Sequence, residues 1–204
     1  MTLDQIAAFF VFALVAAITP GPSNVLLTAT GMQVGLWRGL PCLFGVSAGM
    51  GSMMFLAACG FGALVLQHPQ VMQIVRWLGA AFLLWLAWKI ASAPVSRKDG
   101  GDNSATIPEP TGFLGAALLQ WVNPKAWLVS AGAVATYLPG EAESALLRAA
   151  VFTLVFVSAA LPSGFVWLVF GAAAQRFLRD PPRQRGFNIA MGLALAASVA
   201  MILR

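Results

Sequence analysis

The 204 residues include 59% hydrophobic and only 9% charged side chains, with a mean hydropathy of +0.82. A soluble domain has roughly a quarter of its residues charged, so this composition excludes a water-soluble fold and gives an integral membrane protein. The net charge of +5 is no sign of nucleic-acid binding, because the basic residues sit in short connections between apolar runs rather than along one solvated face.

About 20 residues are needed to cross the hydrocarbon core. Six spans are predicted on that basis, near residues 3–29, 40–66, 71–91, 112–138, 145–173 and 186–203. The first opens on Asp4 and shows no cleavage site, so it is expected to be retained rather than removed as a signal. It runs into Thr19-Pro20-Gly21-Pro22-Ser23-Asn24. Pro20 and Pro22 have no amide hydrogen and clash with the preceding turn, which takes helical partners from the carbonyls around Ala16, Ala17 and Ile18. A second half-helix is expected after Pro22, capped by Ser23 or Asn24, with an amide-rich start suited to an anion.

Gly31, Gly35 and Gly39 repeat every four residues, as do Gly45 and Gly49 in the second span. That spacing lets helix backbones approach closely, within the chain or in a homodimer. Cys42 and Cys59 share one apolar segment, where a disulfide framework has no role, and Ser47 is a pathway candidate in the same span. His68, beside Pro69, reads as a surface residue of a tight turn. Trp37, Trp77, Trp88 and Tyr137 lie near span ends, where amphipathic rings favour the headgroup level.

The connection at 92–111, with KDGGDNS and PEP, is the longest and most polar, and divides residues 1–91 from 112–204. Each part holds three spans, and repeats with an odd number of spans must lie upside down relative to one another. The register agrees, since Pro22 and Pro124 interrupt the opening span of each part. At the second break Asn123 stands in the cap position and Pro124 in the first helical position. Lys125 then places a positive charge about 20 Å along its span, too deep for easy snorkelling. Trp121 and Trp127 bracket this break and are candidate cavity walls, while Pro162 with Ser158 and Ser163 makes a weaker discontinuity in the fifth span.

The expected fold is therefore all-α: a polytopic membrane protein of six transmembrane helices, in two inverted three-helix repeats with broken first and fourth helices. It forms a single transporter domain over 1–204 with a cytoplasmic linker at 92–111. Backbone breaks within a bilayer survive only where protein or a polar cavity supplies partners, so the two breaks point to a solute site. Its expected residues are Pro20, Gly21, Pro22, Ser23, Asn24, Asn123, Pro124 and Lys125. Helix starts and Lys125 would hold a carboxylate, and the carbonyl ends of the preceding half-helices an ammonium, which describes a free amino acid. Counting Lys and Arg at span ends, Arg38, Lys89, Arg97, Lys98, Arg176, Arg179, Arg183 and Arg185 fall on one side, and Arg76, Arg148 and Arg204 on the other. The positive-inside rule then puts both termini outside.

ITPGPSNVLL, the glycine-spaced GLWRGLPCLFGVSAGMG, WLGAAFLLWLAWKI and NPKAW, in that order over nearly the whole chain, resemble the LysE/RhtB family of bacterial amino-acid exporters. Residues 77–94 look most like its cysteine and O-acetylserine branch. The resemblance implies proton-driven efflux of small amino acids or their derivatives across the bacterial inner membrane, with TPGP near the substrate path. One departure is Ser23, where the family usually has Asn directly after the second proline; here Asn follows one residue later.

No Asp or Glu lies in the interior of any predicted span, Asp4 standing at the start of the first, so a lysine or arginine cargo would lack a counter-charge, and neutral zwitterions are favoured. The same absence leaves Asp4, or the substrate amine itself, as the candidate proton carrier. No cofactor or metal is expected, and no nucleophile, paired aspartate or metal motif supports an enzyme. An exporter of basic amino acids, a passive pore and an assembly subunit remain the alternatives.

Overall fold

The computed structural model describes residues 1–61, 67–93, 111–138, 145–178 and 180–203. Every regular element in them is a helix: α1 (Leu3–Ile18), α2 (Pro22–Ala58), α3 (Pro69–Ala91), α4 (Phe113–Val122), α5 (Pro124–Tyr137), α6 (Ala145–Phe177) and α7 (Pro181–Leu203). By length and composition Pro22–Ala58, Gln73–Ala91 and Ala145–Gln175 can each cross a membrane, and Leu3–Ile18 and Phe113–Val122 are shorter apolar helices. The chain is an all-helical, polytopic membrane protein. The end of the second predicted span at 62–66 and the linker at 94–110 lie outside the described residues.

Both predicted breaks are present. The chain leaves helical geometry after Ile18 and re-enters at Pro22, then does so again between Val122 and Pro124. Proline opens each following helix, where its missing amide costs nothing and its fixed φ suits the first turn. The expected discontinuity at Pro162 is absent, as α6 runs through it unbroken with Ser163 Oγ donating to Ala159 O at 2.9 Å.

The expectation for Gly35 was wrong in kind. Its φ of 77° is the only non-helical geometry inside α2, and it turns the chain back on itself. Thr30 Oγ1 reaches Cys42 Sγ at 3.7 Å, whereas a straight helix would separate them by about 18 Å. Residues 22–34 and 36–58 are thus two arms of a hairpin, and only glycine takes this positive φ without a Cβ penalty.

Gly31 and Gly39 do serve packing: a Cβ on either would collide with α6 around Leu168. Gly45 and Gly49 do the same against the α4 backbone at Phe113 and Ala117. These faces are covered by the chain's own helices, so they do not provide a homodimer surface. Leu27, Leu43, Leu83, Leu86, Leu119, Leu168 and Leu195 form the main core, and Phe9 stacks on Phe152 at 3.9 Å to join α1 to α6. Tyr137 packs on Phe9 and Phe12 in that second cluster rather than standing alone at a span end. Trp37, Trp77 and Trp88 are exposed, as belt residues would be. Both cysteines are free.

Candidate functional site

A recess of about 530 Å³, mouth included, opens where the two breaks meet. Its floor is Ala16 and Ala17 of α1 with Gly21, Pro22, Ser23 and Asn24. Opposite stand Asn123, Lys125, Ala126 and Val129, and its apolar sides are Val46 and Met50 of α2 with Phe156, Ala160 and Gly164 of α6. The last five belong to the middle stretches of their helices, so the recess lies deep in the bundle rather than at an end.

Several carbonyls at the end of α1 and in the first break accept from side chains. Thr19 donates its amide and its hydroxyl to Val15 O. Asn24 Nδ2 donates to Ala17 O at 2.9 Å and Thr19 O at 2.8 Å, and Trp167 Nε1 donates to Ile18 O at 3.3 Å. Lys125 Nζ donates to Thr19 O at 2.8 Å and Pro20 O at 3.5 Å. Asn24 therefore works as a donor to the end of α1, not as the amide cap expected for α2. Gly21 is the actual N-cap of α2, and no side chain caps that helix. Pro22 has no amide hydrogen, the Asn24 and Val25 amides both donate to Gly21 O at 3.0 Å, and the Ser23 amide is left without a helical partner beside the recess.

At the second break the expected cap is found: Asn123 Oδ1 accepts the Lys125 amide at 3.1 Å. Ser23 donates to Gln120 Oε1 at 2.9 Å, Asn123 Nδ2 reaches Ser23 Oγ at 3.5 Å, and Gln120 Nε2 donates to Ala116 O. Gln120 is fully buried and was missed from the sequence; an amide within the apolar run Phe113–Val122 was the available signal. The positive charge of Lys125 does not augment its own helix start as expected. It crosses to the carbonyl end of α1, the negative pole of the facing helix.

The remaining candidates fall elsewhere. Trp127 donates its indole to Trp121 O at 2.8 Å and meets that ring edge-on, and neither lines the recess. Ser47 is buried beside the lining residue Val46, Ser158 and Pro162 face outward, and Ser163 is buried against its own helix. Asp4, in the first turn of α1, is twelve residues from Ala16, about 18 Å along the helix. His68 is exposed. Among the described residues no acidic side chain lines the recess and none forms a metal-binding group.

Interrupted helices meeting around a recess with polar poles and apolar walls form the architecture of a membrane transporter. Residues 14–203 match the family of LysE type translocators. The cysteine/O-acetylserine efflux protein of Salmonella typhimurium is 31% identical over 197 residues, 97% of each chain. Its namesake in Escherichia coli is 30% identical over 195 residues, 96% of this chain and 95% of that one. No solved structure matches. The chain belongs to the LysE-type translocator family.

Proposed function

We propose that this protein is a secondary active exporter of small, neutral, zwitterionic amino acids or their derivatives, cysteine and O-acetylserine foremost and homoserine or threonine next. It works from the bacterial inner membrane, with both termini outside, by alternating access around the recess, and draws on the proton gradient. The single observation that carries this reading is the pairing of poles at the first break. The start of α2, with its Ser23 amide free and no side-chain cap, offers an anion site a few residues from the Thr19 and Pro20 carbonyls, which already hold an ammonium. A free amino acid has those two charges on one carbon. The names of the relatives point to the same cargo, and proton coupling is carried over from the family resemblance.

Exclusion of basic cargo follows from the lining. A lysine or arginine side chain entering the recess would meet Lys125 and no carboxylate among the described residues. The packing also favours two inverted repeats. Exchanging α1 with α4, the later arm of α2 with α6, and α3 with α7 maps the four most extensive helix pairings onto one another: α1 on α6 becomes α4 on α2, while α2 on α6 and α3 on α7 are unchanged. Rocking one repeat against the other would then open the recess to either side.

The test is efflux from energised proteoliposomes loaded in turn with O-acetylserine, cysteine, threonine, homoserine, leucine, lysine and arginine. Saturable movement of the small neutral solutes against their gradient, abolished by a protonophore, is expected. Movement that only equilibrates them would make the protein a pore, and preference for lysine or arginine would overturn the charge argument.

A further inference from the structure

The carbonyls freed by the first break are not served alike. Those of Ala17 and Ile18 accept from neutral groups, the Asn24 amide and the Trp167 indole. The Pro20 carbonyl, by contrast, meets a cation on a flexible stem, and the Thr19 carbonyl shares that cation with Asn24. An alkylammonium offers three donors and no acceptor, whether it belongs to lysine or to a free amino acid. Any solute whose amine uses these carbonyls must therefore compete with Lys125.

The geometry of the stem gives the competition a direction. Lys125 lies across Gly21, so close that a Cβ there would stand 3.0 Å from Nζ and 3.1 Å from Cδ. Its side chain thus runs between the carbonyl pole and the uncapped start of α2. Among the described residues it finds only carbonyl dipoles there and no carboxylate. An isolated ammonium moved off those dipoles into the apolar part of the recess would be costly. A zwitterion removes that cost, since its ammonium takes the carbonyls while its carboxylate arrives beside the displaced lysine.

Resting on the reading of the recess as a zwitterion site, we infer that the Lys125 ammonium is a tethered stand-in for the substrate amine. It occupies the Thr19 and Pro20 carbonyls in this conformation, yields them to an entering amino acid, and pairs with the carboxylate of that same molecule. The exchange makes Lys125 a specificity-determining residue. A solute with an amine but no carboxylate leaves two cations in one recess and is rejected, although it fits.

The experiment is equilibrium binding to the purified full chain of O-acetylserine and of O-acetylethanolamine, the same molecule without its carboxylate. Wild type is expected to prefer the zwitterion by about tenfold or more, the size of one charge-assisted hydrogen bond. Lys125→Met frees the carbonyls and removes the repelling charge, so the amine should gain about tenfold while the zwitterion loses affinity. Gly21→Ala, at an extended φ of −174° that any residue adopts, should push the lysine stem aside with its charge retained and tighten zwitterion binding several-fold. Parallel weakening of both ligands in Lys125→Met would make the lysine a strut. Weakening of the zwitterion with no gain for the amine would make it a carboxylate ligand that never held the amine's place. Either result overturns the inference, as does unchanged or weaker zwitterion binding in Gly21→Ala. Wild type binding neither ligand would instead remove the functional reading on which the inference stands.

Discussion

Ser23 donates to Gln120 Oε1 at 2.9 Å, joining the first turn after one helix break to the last turn before the other. The two residues are 97 positions apart, so the bond ties the two breaks together across the fold. Gln120→Leu leaves the part-buried Ser23 hydroxyl without its acceptor. A stability loss of about 1–3 kcal/mol is expected, together with reduced transport. Ser23→Ala should cost less, because the remaining amides can pair with one another. Thermal unfolding of the purified single and double variants measures the coupling, which is expected at about 0.5–3 kcal/mol. Strict additivity would mean that the contact carries no energy.

Asn24 ties the end of α1 to the start of α2 by giving one amide group to both Ala17 O and Thr19 O. Asn24→Asp keeps the shape but turns a donor into an acceptor facing two carbonyls. It should therefore be worse than Asn24→Ala, which leaves the Ala17 carbonyl unpaired at about 1–3 kcal/mol and the Thr19 carbonyl with Lys125 alone. The comparison is made on protein yield and thermal unfolding in detergent. If the aspartate variant is the more stable of the two, Lys125 has re-paired with it and the carbonyl end of α1 does not need its neutral donor.

The breaks were legible in the sequence because proline acts locally: Pro22 and Pro124 determine where helices restart whatever surrounds them. The Asn123 cap was legible for the same reason, its acceptor and donor being two residues apart. Gly35 was not, since a glycine that turns the chain and a glycine that admits a neighbouring helix look identical in a four-residue repeat, and only φ separates them. Lys125 was found but its direction was not, because its acceptor lies 106 residues away on another helix. Gln120 escaped because a single amide on an apolar helix gains meaning only from the Ser23 hydroxyl across the fold.

Asp4 entered as a candidate proton carrier on charge alone, as the first acidic residue of a chain with none in the interior of its predicted spans. In the structure it is exposed in the first turn of α1, beside the Thr2 and Gln5 capping box and about 18 Å along the helix from Ala16. Its expected role is to favour the positive start of α1 by no more than about 1 kcal/mol. Asp4→Asn should therefore transport at nearly the wild-type rate, with the same dependence on an imposed proton gradient. Loss of that dependence with normal substrate binding would put Asp4 on the proton path after all.

Two glycines give opposite expectations for the same substitution. Gly79 of α3 faces the second break so closely that a Cβ would collide with the Val122 carbonyl and lie 3.2 Å from Pro124 Cδ. Gly79→Ala must push α3 away or shift the backbone that positions Asn123 and Lys125. Overpacking of this kind costs about 1–3 kcal/mol, and transport should fall although Gly79 is not part of the recess. Gly132, two turns beyond Lys125 on the exposed face of α5, has nothing within 4 Å of such a Cβ. Gly132→Ala meets no neighbour and improves helix propensity by up to about 1 kcal/mol, so it should be neutral or stabilising with transport intact. Thermal unfolding and efflux, measured on both variants at matched membrane levels, separate the two. Equal tolerance at both positions would mean that α3 does not bear on the second break, and that the Asn123 and Lys125 geometry is held by α2, α4 and α6 alone.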